Sequence, residues 1–113
     1  MKPKIEFDDF LKVDIRVGTI LEAEINKKAK KPAYSMKIDF GEKIGVKTTS
    51  AQITQEHAID TLQGQQVLAV VNFPDKNIAG VVSQVLVLAV VEDNGRTVLL
   101  EPSKNVENGS RVL

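Results

Sequence analysis

The chain has 113 residues, 42% hydrophobic but only 4% aromatic, with 15 basic against 15 acidic residues and no cysteine. That length suits one domain, residues 1–113, with an aliphatic core. A zero net charge points to no partner by itself, so any nucleic-acid surface must come from local clustering. The absence of cysteine excludes a disulfide scaffold, a thiolate metal site and a cysteine nucleophile. The opening MKPKIEFDDFLKVDIRV is too charged for a signal peptide. No apolar run approaches the roughly 20 residues that span a bilayer, which predicts a cytoplasmic protein without membrane insertion.

In chain order, Phe7, Phe10 and Leu11 have the spacing of one apolar helical face, so a one-turn helix is expected there, capped by Asp8 or Asp9. The run from Val13 to Ile25 alternates as a strand, and its apolar register shifts after Gly18. A glycine at such a switch predicts a bulge, the device that lets a long first strand serve two edges of a small barrel. Residues 26–32 (NKKAKKP) form a loop. Tyr34, Met36, Ile38 and Phe40 then mark one face of a second strand, and Gly41-Glu42-Lys43 turns it into a return strand over Ile44–Ser50. A short helix is predicted over Gln55–Leu62, capped by Ser50 or Thr54 and ended by Gly64.

Residues 66–91 (QVLAVVNFPDKNIAGVVSQVLVLAVV) are the most organised stretch. Two Val/Leu-rich runs of strand length, Val67–Val71 and Val85–Val91, flank a middle broken by Pro74 and Gly80. Along Val85–Val91 neither face is polar, so both need cover. One cover is the domain's own core; the second is a partner subunit over Leu86, Leu88 and Val90, the favoured reading, or else a terminal helix or the C-terminal segment of the same chain. Asn94-Gly95 is a type I′ turn signal that pairs this run with Thr97–Leu100. Five strands with a helix between the third and fourth give an all-β, five-stranded Greek-key OB-fold barrel. An SH3-like barrel is the rival, but it has no natural place for the helix.

Catalytic groups are scarce. His57 is the one histidine, and a lone histidine on a helix is ordinarily a surface or packing residue. No nucleophile elbow, phosphate-cradling glycine loop or convergent ligand set accompanies it, so neither cofactor nor metal is expected and a binding module is favoured over an enzyme. Between Asn26 and Lys47, seven lysines face two carboxylates, a local charge of +5 inside a neutral chain. Lys27, Lys28, Lys30 and Lys31 sit in the loop between strands one and two, with Lys43 and Lys47 further on. In OB folds that loop and strands two and three line the ligand groove, where lysines meet phosphates. Phe73 is the better candidate for an exposed aromatic contact, with Asn72, Pro74, Lys76, Ser83 and Gln84 supplying the rest of a ligand site.

Asp14-Ile15-Arg16-Val17-Gly18-Thr19-Ile20, Ser50-Ala51-Gln52-Ile53 and Val70-Val71-Asn72-Phe73-Pro74-Asp75-Lys76-Asn77-Ile78-Ala79-Gly80, followed by Ser83-Gln84-Val85-Leu86-Val87-Leu88, resemble the tRNA-binding-domain family over nearly the whole chain. The Asn-Phe-Pro block and the Ser-x-Val-Leu-Val-Leu run are similar to its CsaA group of export-related chaperones. The resemblance implies an OB-fold homodimer joined through N- and C-terminal extensions, with two ligand sites on one face. It implies unfolded preproteins and the export ATPase of the Sec pathway as partners, and tRNA for the wider family. Many tRNA-binding members carry an Ala-Asp-Lys-Leu block after strand one. Lys31-Pro32-Ala33-Tyr34-Ser35-Met36 replaces it here and departs from their RNA contacts.

Overall fold

The computed structural model describes all 113 residues. Its strands are β1 (Ile15–Ile25), β2 (Tyr34–Asp39), β3 (Val46–Ala51), β4 (Gln66–Val70), β5 (Lys76–Ile78), β6 (Val81–Ser83), β7 (Leu86–Val87), β8 (Ala89–Val91) and β9 (Thr97–Leu99), preceded by a helix α1 (Phe7–Leu11). One antiparallel sheet runs β3-β2-β1-β4-β7, while β5-β6 and β8-β9 are separate hairpins. The sheet curls until its ends meet. The Gln84 N–H donates to the Thr48 carbonyl at 2.8 Å, and the buried Thr49 hydroxyl donates to the Val85 carbonyl at 2.8 Å. The result is the expected all-β, nearly closed five-stranded OB barrel.

The alternation in β2 does what it predicts. Tyr34, Met36, Ile38 and Phe40 are all buried, and they pack with Ile20, Leu62 and Val67 into the core. The long first strand does serve two sides. Ile15–Thr19 pairs with β4 and Thr19–Ile25 with β2. The bulge lies at Leu21 rather than at Gly18, since the register shifts between Ile20 and Glu22. Gly18 has another reason to be glycine: a Cβ there would stand 2.7 Å from both Ile38 Cγ2 and the Phe40 ring. The residue that signalled a bulge is a close-packing contact.

Three other expectations are shortened or moved. The helix between the third and fourth strands is a single 3-10 turn, Ile59–Thr61, and Ser50 stays inside β3. The backbone of α1 is held from behind, because Asp9 Oδ2 accepts the Glu6 N–H at 3.0 Å. The Asn94-Gly95 hairpin forms between β8 and β9, but Gly95 is its lone positive-φ residue, so the loop is a type I turn closed by a left-handed glycine.

The run Val85–Val91 is not one strand. It breaks at Leu88, whose N–H donates to the Leu68 carbonyl at 2.9 Å and whose carbonyl accepts from Leu100 at 3.1 Å. Its first half thus completes the barrel and its second half enters the outer hairpin. Leu86 and Val90 are each 50% exposed and Val91 is 68% exposed. The second face is therefore only half covered by its own chain at Leu86 and Val90, and Leu88 between them is half-buried. The C-terminal segment is docked on its own barrel: Val17 N–H bonds to the Ser110 carbonyl at 3.0 Å, and Val112 N–H to that of Ile15 at 2.9 Å. No helix is long and apolar enough to cross a membrane.

Candidate binding surfaces

The irregular middle of the 66–91 stretch builds a cleft. β4 ends at Val70, and Pro74 lies in the irregular segment that carries the chain on to β5. Lys76–Ile78 then turns back on Val81–Ser83 through Ala79 and Gly80, with φ of +48° and +82°. Two consecutive positive φ values make a type I′ hairpin, whose twist matches that of its strands. Sequence reasoning missed this hairpin, because Ala-Gly is not among the usual turn pairs.

Between the outgoing chain and the start of β7 lies a cleft of about 500 Å³, lined by Phe73, Pro74, Asp75, Lys76, Ile78, Ser83, Gln84, Val85 and Leu86. Phe73 is 54% exposed, so its ring is on offer rather than plugging the barrel. Five of the six expected ligand residues meet here. Ser83 and Gln84 are fixed from behind. The Ser83 hydroxyl lies 3.2 Å from Thr49 Oγ1, and Gln84 Oε1 accepts the Thr48 N–H at 3.1 Å. Both therefore spend polar capacity on closing the barrel and present a rigid wall. Asp75 and Lys76 add one charge of each sign.

Asn72, the sixth, lies outside this cleft. Its Oδ1 accepts the Asp14 N–H at 3.0 Å and its Nδ2 donates to the Lys12 carbonyl at 2.8 Å. With one bond at each end of its amide, Asn72 clamps the segment entering β1 instead of lining this cleft.

The lysines do not form one patch. Lys27, Lys28, Lys30 and Lys31 are exposed together in the loop before β2. Lys43 is exposed in the turn after β2, a strand of six residues or roughly 20 Å away. It lies there beside Glu42 and Glu107. Lys47 is half-buried in β3, and Lys37 pairs with Glu22 at 3.2 Å. The concentrated positive field belongs to the four loop lysines. Lys28 packs over the β5-β6 turn, with its Cδ 3.0 Å from where a Cβ on Gly80 would stand. The basic loop therefore borders the hairpin that walls the apolar cleft.

His57 behaves as a packing residue. Its Nε2 accepts the Leu99 N–H at 3.2 Å, while its carbonyl accepts the Tyr34 hydroxyl at 2.8 Å.

Comparison with known proteins agrees with this architecture. A family profile described as "Putative tRNA binding domain" matches residues 15–111. Methionine–tRNA ligase of Chlorobium limicola is 38% identical over 111 residues, which is 98% of this chain and 15% of that enzyme. That of Methanococcoides burtonii is also 38% identical, over 98% of this chain and 16% of the enzyme. The chain thus spans about a sixth of the curated relatives it matches. The crystal structure of the chaperone CsaA from Bacillus anthracis superposes with a TM-score of 0.92 at 46% identity, over 98% of this chain and all of that one. CsaA from Picrophilus torridus gives 0.90 at 46%, covering 97% of this chain and 100% of its own. With the profile running through the whole barrel and both CsaA chains matched end to end, this chain is a CsaA-like member of the tRNA-binding-domain family.

Proposed function

We propose that this protein is a homodimeric binding protein that holds unfolded polypeptide, with preproteins destined for export as its clients and the Sec export ATPase as a further partner. The observation that carries this reading is the cleft at Phe73. Its walls are mostly apolar, its aromatic ring is half open to solvent, and the β5-β6 hairpin supplies Lys76, Ile78 and Ser83 to its lining. An extended chain docks on such a surface through backbone hydrogen bonds and shallow side-chain pockets. Exposed aromatics at the centre of such contacts carry a disproportionate share of the energy. Titrating the protein with a fluorescein-labelled, reduced and carboxymethylated polypeptide should give saturable binding, and Phe73→Ala should weaken it about tenfold. Absence of binding at tens of micromolar, or unchanged binding by Phe73→Ala, refutes the reading.

The dimer rests on uncovered apolar surface. Val90 and Val91 stand out from the β8-β9 hairpin, and Phe7, Leu11 and Leu113 are 71%, 56% and 88% exposed around the termini. Apolar patches of this kind mark contact surfaces. Sedimentation should give a particle of twice 12.4 kDa, and Val90→Asp should shift it toward the monomer. A wild-type monomer at micromolar concentration would remove the dimer from the proposal.

A second reading, a module that binds tRNA, is favoured by the four clustered lysines and by the family itself. It uses a different surface, so both ligands have a place on one protomer.

A further inference from the structure

We infer that a second, smaller cleft at the mouth of the barrel takes one unpaired adenine nucleotide of an RNA strand. The inference rests on the RNA-binding reading and supplies it with base selectivity. Lys31, Gln52, Ile53, Thr54, Gln55 and Thr97 are among the residues that line this cleft of about 220 Å³. It is smaller than the roughly 300–1,000 Å³ of a usual small-molecule site, which suits one residue of a longer strand better than a free cofactor.

The fold forces these groups together. Tyr34 is paired with Ala51 across β2 and β3, so the end of the basic loop lies beside the start of the 52–55 segment. The floor is Ile53, which is 3% exposed, while Lys31, Gln52 and Gln55 are exposed around it. The walls are cross-linked from outside. Tyr34 and Leu99 both bond to His57, tying β2, the 52–57 segment and β9 together. Arg96 reaches Glu56 at 3.1 Å and Glu92 at 2.7 Å, which joins the β8-β9 loop to the same segment. Arg96 shared between two carboxylates leaves one net negative charge behind the wall, and Lys31 is the one charged residue of the lining itself.

A rigid pocket with two primary amides, two hydroxyls, one ammonium and a small apolar floor has the chemistry of a nucleotide site. A glutamine amide offers a donor and an acceptor side by side, and its commonest bidentate base partner is adenine. Base-specific RNA recognition works on unpaired bases whose edges are free. The Lys31 ammonium meets a flanking phosphate as a point charge, continuing the track of Lys27, Lys28 and Lys30.

The test uses the full chain and hexameric oligonucleotides, followed by fluorescence anisotropy at two salt concentrations. A6 should bind about tenfold more tightly than U6. The double variant Gln52→Ala/Gln55→Ala should remove that difference while leaving the salt dependence of U6 binding unchanged. Equal affinities in the wild type, or a preference that survives in the double variant, overturn the inference and leave the RNA reading standing. In parallel, adenosine monophosphate added to labelled protein should shift the amide resonances of Gln52, Gln55 and Thr97, and uridine monophosphate should not. No binding of either hexamer with no shift overturns the inference, and tRNA binding measured on the same protein shows whether the RNA reading falls with it. Shifts without hexamer binding support the pocket and remove the RNA track.

Discussion

Phe40→Ala should lower stability by about 3–5 kcal/mol, the cost of a large cavity in a core that cannot collapse. Its ring is 1% exposed and lies where three parts of the chain converge. Gly18 of β1 sits beneath it, the Phe40 N–H bonds to the Gly45 carbonyl at 3.0 Å, and a Cβ on Gly109 of the tail would stand 2.6 Å from the Phe40 carbonyl. None of these backbone segments is free to move inward. Thermal melts at one fixed protein concentration should drop by roughly 15 °C or more. The same contact gives a converse effect. Gly18→Ala adds a methyl where there is no room and should cost about 1–3 kcal/mol by overpacking. Combining Gly18→Ala with Phe40→Leu should cost less than the two changes summed, because the smaller side chain makes room for the methyl. Additive costs would show that Gly18 and Phe40 do not share their space.

This part of the molecule also shows what was legible in the sequence. The period-two pattern at Tyr34, Met36, Ile38 and Phe40 sets which face is core, because a register slip of one residue would turn every one of them outward. The element order then leads to the barrel. What Gly18 does was not legible. A glycine needed for a bulge and a glycine needed for close approach look alike until the residues that crowd it, Ile38 and Phe40, are located in space. The doubly apolar run Val85–Val91 leaves Leu86 and Val90 half exposed, and it concealed the break at Leu88, since each half takes a different strand as neighbour and both neighbours favour the same residue types.

The binding surfaces were legible in proportion to their locality. Phe73, Pro74 and Lys76 lie within four positions, and Pro74 alone announces that the chain leaves the sheet there. Ser83 and Gln84 join them through the Ala79-Gly80 turn, which carries no strong sequence signal. Asn72 read as part of the same block, but its side chain points to residues nearly sixty positions earlier, and long-range hydrogen bonds leave no mark on spacing. Lys43 failed as a member of the basic cluster for a geometric reason: closeness in sequence across a hairpin strand places its two ends far apart.

That separation sets up the second large effect. Lys27→Ala/Lys28→Ala/Lys30→Ala/Lys31→Ala should weaken tRNA binding by roughly a hundredfold at 50 mM salt and flatten its salt dependence. Each phosphate neutralised contributes about 0.9 to the log–log slope of affinity against salt, so two direct contacts among the four lysines account for a loss of that size. Lys43→Ala, at the far end of β2 beside Glu42 and Glu107, should leave the slope unchanged. Polypeptide binding at Phe73 should persist in the quadruple variant, because that cleft is apolar and takes none of its walls from the loop. Filter binding of tRNA at three salt concentrations, with the labelled polypeptide measured on the same preparations, separates the two surfaces. Equal losses for both ligands would mean that the loop and the cleft act as one site, with Lys28 holding the β5-β6 turn in place for each. An unchanged slope in the quadruple variant would move the RNA surface elsewhere on the barrel.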